Sequence, residues 1–223
     1  LTKSTTPTLL PVTTLSADLA FWGAARLQAG PPSNGAAIPT LTDQSGNGRN
    51  LTLATGGTAA TFLASWNTRS ALTMSNSYYE FLQNEMQTLY LGRDLSYIIV
   101  ADYTGGTSSD ATIINNATVA GGLYYFGLDT FSSGAIAWRL VNQGGYAASS
   151  AAISTSTPYV VSVTAPGAVF TNGVKSALMA TGVLGNAEKI AVGGLRTKTS
   201  GAWTKAYPGR LAELLIFRGL LSQ

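Results

Sequence analysis

The sequence predicts an all-β fold, an antiparallel sandwich or barrel, on three observations. Short apolar runs and turn signals alternate along the chain. Double glycines at Gly56-Gly57, Gly105-Gly106, Gly121-Gly122, Gly144-Gly145 and Gly193-Gly194 punctuate those runs. None of them sits in a strand–loop–helix context that would cradle a phosphate, so they read as turns. No repeat recurs at a fixed period of about 20–50 residues, which argues against propellers and solenoids.

Ten of the first 16 residues are Thr, Ser or Pro, so residues 1–17 read as an extended arm or linker. Residues 18–223 read as a single domain that begins at Leu19–Trp22. A Gly- and Pro-rich loop, Gly30–Pro39, leads to the turn D-Q-S-G-N-G at Asp43–Gly48. Strands are then expected at Asn50–Leu53, Tyr78–Leu82, Leu95–Ala101, Ala111–Asn115, Leu123–Leu128 and Ala135–Val141. Further strands are expected at Tyr159–Thr164, Ala168–Thr171, Val174–Leu178, Lys189–Val192 and Arg210–Phe217. Between Thr171 and Val174, Asn172-Gly173 supplies the positive φ angles of a type I′ hairpin. Asn84–Leu91 has the look of a single helical turn.

Gly209–Phe217 (G-R-L-A-E-L-L-I-F) organises the rest. Strict alternation puts Leu211, Glu213, Leu215 and Phe217 on one face and Ala212, Leu214 and Ile216 on the other. A strand apolar on both faces belongs in the middle of a sheet. A helix would also group Leu211, Leu214 and Leu215, so periodicity leaves that alternative open. Glu213 needs a partner in such a strand, because an unpaired buried carboxylate costs several kcal/mol.

The 223 residues fit one large β-domain, with two tandem small sandwiches arithmetically possible. With no Cys there are no disulfides and no thiolate metal sites. Charged residues make up only 10% and Thr, Ser, Gly, Ala and Asn fill the surface, a composition that suits an extracellular or virion protein. The net charge is +3, and Lys189, Arg196, Lys198, Lys205, Arg210 and Arg218 cluster late in the chain. Such a patch could meet an anionic glycan, a membrane surface or nucleic acid, but no basic helix or aromatic nucleic-acid signature accompanies it, so it reads as a solvated face and no nucleic-acid partner is expected. No apolar run reaches the roughly 18 residues of a membrane span, so no membrane insertion is expected. The N-terminus has no signal-peptide pattern, and a start at Leu1 rather than Met suggests a processed chain or a piece of a longer one.

The ordered pieces resemble the laminin G-like, concanavalin A-like group of jelly-roll domains. The resemblance is carried by L-A-F-W at Leu19–Trp22, L-T-D-Q-S-G-N-G-R-N-L-T at Leu41–Thr52 and T-P-Y-V-V-S-V-T at Thr157–Thr164. It continues with T-N-G-V at Thr171–Val174, I-A-V-G-G at Ile190–Gly194 and G-R-L-A-E-L-L-I-F-R-G-L-L-S at Gly209–Ser222. What it implies is a two-sheet antiparallel jelly-roll sandwich, of a kind often used to bind sugars or to build adhesive and virion proteins.

Enzyme chemistry finds little footing. With no His, Ser-His and Cys-His nucleophile systems cannot form within the chain. No run of alternate acids places the two carboxylates of a glycosidase on one strand, although a pair from different strands stays open. Asp43 reads as the acceptor of an Asx-type turn. The alternative is a Ca²⁺ site at Asp43 or Glu213, since some relatives of this fold hold calcium. Calcium wants six to eight oxygens, and the 10 acids are scattered. No cofactor is expected.

Trp22, Phe81, Tyr97, Phe126, Phe170 and Phe217 fall in strand patterns and are expected in the core. Trp66, Tyr103, Tyr146, Trp203 and Tyr207 fall in Gly-, Ser-, Thr- and Asn-rich stretches, where an exposed ring beside polar groups can grip a sugar. The expected ligand-binding residues are Arg139, Asn142 and Tyr146 in A-W-R-L-V-N-Q-G-G-Y, together with Trp203 and Tyr207. Asn50 and Asn116 head N-x-T sequons, which matter only on a glycosylating route. The first expectation is a non-catalytic lectin-like module that binds a surface glycan. The second is a virion or appendage subunit that contacts its own copies or neighbouring proteins, and the third is a glycan-cleaving enzyme.

Overall fold

The computed structural model describes residues 18–28, 32–81, 95–105, 111–117, 123–130, 136–142, 145–164, 168–175, 189–196 and 203–218. Strand β1 (Leu19–Ala24) is followed by one 3-10 turn, Ala25–Leu27. Short strands β2 (Ala37–Ile38), β3 (Thr40–Leu41) and β4 (Leu51–Leu53) precede the hairpin of β5 (Ala60–Trp66) and β6 (Arg69–Met74), then β7 (Tyr79–Phe81). Longer strands follow: β8 (Leu95–Tyr103), β9 (Ala111–Ala117), β10 (Leu123–Thr130), β11 (Ile136–Asn142) and β12 (Gly145–Ile153). The chain continues through β13 (Tyr159–Thr164), β14 (Ala168–Thr171), β15 (Val174–Lys175) and β16 (Lys189–Val192). It closes with β17 (Leu195–Arg196), β18 (Trp203–Thr204) and β19 (Gly209–Arg218).

Two antiparallel sheets form a sandwich. The first runs β15-β14-β13-β8-β19-β6-β5-β2, with β1 also paired to β19; the second runs β12-β11-β10-β9-β16-β7-β4-β3. One hydrophobic cluster fills the space between them. The first sheet contributes Phe21, Leu72, Ile99, Val161, Leu214 and Ile216; the second contributes Leu51, Tyr79, Ile113, Trp138, Ile190 and Val192. Phe21 and Phe81 meet edge-to-face across the gap, with ring centroids 5.2 Å apart. Tyr79 on the second sheet donates its hydroxyl to the Ile38 carbonyl (2.5 Å) and accepts from the Ala60 amide (2.8 Å), which ties down β2 and β5.

β19 is a central strand, as expected from its two apolar faces. It pairs along its length with β8, and its other edge is shared by β6 and β1. The register slips between Leu211 and Glu213, so Ala212 is a bulge and strict alternation fails there. Leu211, Leu214 and Ile216 enter the main core, while Ala212 joins Trp66 and Ala71 on the opposite face. Leu211 therefore does not share a face with Glu213 and Leu215.

The Asn172-Gly173 hairpin is present, with φ of +49° and +80°. Its second strand is described to Lys175, and the expected extension to Leu178 lies outside the described residues, as does Asn84–Leu91. The hairpin β5–β6 and the strand β12 carry weaker signals. β5–β6 turns on Asn67-Thr68 rather than Asn-Gly, with φ of +46° and +68°. β12 is built largely from Ala and Ser, residues with little preference for strand.

Candidate functional site

The turn at Asp43 is closed by its own carboxylate. Oδ1 accepts from the backbone amides of Trp22 (3.0 Å) and Ser45 (2.9 Å). Oδ2 accepts from the Ser45 hydroxyl (2.9 Å) and the Arg49 amide (3.0 Å). Side chains of the same loop cap β1: Asn47 donates to the Leu19 carbonyl (2.9 Å) and Arg49 to that of Ala20 (2.9 Å). Asn50, the first sequon residue, accepts the Asp43 amide through Oδ1 at 2.9 Å.

Glu213 finds its partners on β1 and the turn after it. Its Oε1 accepts from Trp22 Nε1 (2.8 Å) and from Arg26 Nη2 (3.3 Å). The Arg26 guanidinium also lies 5.6 Å from the centre of the Trp22 ring. A second carboxylate–arginine–tryptophan set sits nearby. Asp102 on β8 is fully buried, faces Arg210 on β19, and accepts its backbone amide (2.9 Å), its Nε (3.1 Å) and its Nη2. Arg210 in turn lies 5.5 Å from the Trp66 ring centre.

Both sets stand on the outward face of the first sheet. Residues paired directly across antiparallel strands point to the same side, and one such line crosses six strands. It runs from Lys175 on β15 to Phe170, Ser162, Ile98 and Leu215, and ends at Trp22 on β1. Lys175 is exposed and the other five are half-buried, whereas their neighbours Val161, Val163, Ile99, Leu214 and Ile216 are buried on the other face. Lys175 holds its ammonium 5.8 Å from the Phe170 ring centre, so each end of the line is an aromatic ring carrying a cation. One step along, Val160 pairs with Val100 and is 47% exposed.

The predicted ligand-binding residues separate. Arg139 and Asn142 lie on β11 and Tyr146 on β12, where Asn142 pairs with Gly145 and Val141 with Tyr146. The backbone thus brings these three to one hairpin end; their side chains lie outside the described residues. Trp203 pairs with Arg196 in the separate β17–β18 ribbon, and its side chain is likewise outside them.

Tyr207 corrects the expectation of an exposed ring. It is fully buried, donates its hydroxyl to the Asp102 carbonyl, and packs between Tyr103 and Trp138 with centroids 6.4 Å from each. Burial, reinforced by the negative charge of Asp102, pushes its phenol well above the ordinary value of 10.0. A ring with no accessible surface has no face to offer a sugar. Trp66 and Tyr103, also expected in loops, are buried at strand ends. Trp22 and Phe170 move the other way, from expected core to half-buried positions on the outward face. Only the cross-strand register shows that they lie on one line with Ser162, a polar residue in the valine-rich β13.

Glu213 and Asp43, the residues weighed for Ca²⁺, each have protein donors. Among the described residues no group of three or more acids gathers as a metal site would require. Among them, too, no helix is long and apolar enough to cross a membrane.

No protein-family model matches the sequence, and no curated protein matches it. Solved structures match in shape. A Trypanosoma rangeli sialidase mutant displaying trans-sialidase activity aligns with 96% of this chain at TM-score 0.63 and 13% identity. This chain spans only 32% of that sialidase. Domain 4 of a GH43 extracellular arabinanase from Geobacillus stearothermophilus, in complex with arabinotriose, aligns with 92% of this chain and 94% of its own, at TM-score 0.61 and 14% identity. Botulinum neurotoxin type C, which depends on two ganglioside molecules to enter cells, aligns with 95% of this chain and 50% of its own, at TM-score 0.54 and 12% identity. At such identities the likeness shows the β-sandwich fold alone.

Proposed function

We propose that this chain is a non-catalytic carbohydrate-binding module of the concanavalin A-like jelly-roll type, part of an extracellular or virion protein. The observation that carries this reading is the half-exposed line from Lys175 to Trp22 on the outward face of the first sheet. It sets aromatic and aliphatic surface beside cations and the Ser162 hydroxyl, the combination that takes up the apolar face and the hydroxyls of a sugar. The arabinanase domain that this chain matches nearly end to end is in complex with arabinotriose, which supports the same class of ligand. Asp43, Asp102 and Glu213 are engaged by protein donors, which favours recognition over turnover.

A glycan array probed with the chain, with Phe170→Ala and with Tyr146→Ala tests this. Loss of binding in Phe170→Ala alone assigns the site to the sheet face. Loss in Tyr146→Ala alone moves it to the β11–β12 hairpin with Arg139 and Asn142. A blank array, with self-association in solution, overturns the reading in favour of a structural virion or appendage subunit. One observation favours that second reading: Val174 on the edge strand β15 is 72% exposed.

A further inference from the structure

The charges on the outward face are unevenly shared with solvent. The Arg26 side chain is 45% accessible and that of Arg210 is 23% accessible, against 9% for Glu213 and none for Asp102. Lys175, at the far end of the line, is exposed. The carboxylates lie beneath the cations, and exposed Arg69, paired with Trp66, adds another base, so the face shows positive charge to water. Arg26 and Arg210 are also held rigidly, each by a carboxylate and an indole. The Arg26 guanidinium, beside the Trp22 ring, keeps in-plane N–H groups that can fork onto a planar anion. Among the described residues, Arg26 meets protein acceptors through Nη2 only.

We infer that this face takes an acidic oligosaccharide whose carboxylated sugars alternate with neutral ones; the inference rests on the carbohydrate-binding reading above. The spacing of the charges selects that class. From β15 to β1 the line crosses five strand intervals, about 24 Å at about 4.8 Å each, the reach of an oligosaccharide rather than of one ring. Its two ends carry Lys175 and Arg26, and between them lie the uncharged Ser162, Ile98 and Leu215. At physiological salt the screening length is about 8 Å, so the two cations act as separate anchors. A densely sulfated chain would need a continuous basic stripe, which this line does not offer. Carboxylates at intervals, with sugar faces laid on Ile98 and Leu215 between them, meet each feature in turn.

Calorimetric titration of the whole chain with an unsulfated hexasaccharide of alternating glucuronate and N-acetylglucosamine, a neutral hexasaccharide and a heparin-derived hexasaccharide tests this. Lys175→Gln and Arg26→Gln serve as variants, with melting temperatures confirming that they fold. The expected result is affinity for the uronate at least about tenfold above the neutral oligomer. It should fall severalfold in each variant and fall again as salt rises. Equal binding of the neutral oligomer, unaffected by Lys175→Gln, overturns the acidic class and leaves the carbohydrate reading standing. Preference for the heparin oligomer overturns the spaced-carboxylate assignment. Failure of all three, together with a blank glycan array, removes both readings.

Discussion

Asp102 and Arg210 stand directly opposite each other on β8 and β19, and the arginine supplies three donors to a carboxylate that has no contact with solvent. The same aspartate offers its main-chain carbonyl to the Tyr207 hydroxyl, so the pair joins the outward face to the plug at one end of the core. Gly209 belongs to this joint. A side chain there would place its first carbon 2.2 Å from the Asp102 carbonyl oxygen, which only glycine avoids.

Arg210→Ala should destabilise the fold by about 3–5 kcal/mol, because it strands a buried anion. A double change, Asp102→Leu with Arg210→Met, should cost much less, since it removes both charges and keeps the volume. Urea unfolding of the two variants measures the difference; equal losses would show that the charge itself is not what the pair compensates.

Stability should fall at alkaline pH through Tyr207. Its phenol is pushed up from 10.0 in the folded chain, so the folded state keeps a proton that the unfolded state releases. The sign follows: the contribution is complete below about 10 and is lost as pH rises above it. Tyr79 is shifted in the same direction by burial and adds to the slope. Denaturation midpoints across this range should decline more steeply in the wild type than in Tyr207→Phe. The Phe variant should also be less stable at neutral pH by about 1 kcal/mol, for the lost hydrogen bond.

Thr68→Gly should raise stability. Thr68 sits at φ +68° in the β5–β6 turn, a left-handed conformation that a β-branched residue adopts at a cost. Relief of about 1–3 kcal/mol, less about 0.5–1 kcal/mol for the greater freedom of glycine in the unfolded chain, leaves about 1 kcal/mol. For a domain of this size that corresponds to about 2–4 °C in melting temperature. No rise on thermal scanning would show that the turn already accommodates threonine.

Chelation with EDTA should leave the melting temperature unchanged. All four lone-pair directions of Asp43 are taken by protein donors, so its loop closes without an ion. Asp43→Ala, in contrast, should cost about 2 kcal/mol or more by releasing those donors at once. A drop in melting temperature on chelation, restored by added Ca²⁺, would return the loop to metal binding.

Much of the fold was legible in the sequence, for local reasons. Asn172-Gly173 announces its hairpin because few residue pairs accept positive φ at two successive positions. The turn at Asp43 is recognisable because its carboxylate bonds to amides close by in the chain. β19 reads as a central strand from its two apolar faces. Strands with weak propensity escaped: Asn67-Thr68 makes the same turn without glycine, and β12 relies on its neighbour rather than on its own residues.

The sequence by itself determined an all-β chain of sandwich or barrel type, because alternation and turn residues act within a few positions; the choice of a sandwich came from the resemblance of its ordered motifs. Tertiary structure alone decided which rings face outward. The bulge at Ala212 changes which residues share a face, and Tyr207 is carried into the core by a carbonyl some hundred positions away. The line from Lys175 to Trp22 draws one residue from each of six strands, and its existence depends on register. Register is settled when two faces bury their apolar sets together, a condition no single strand contains.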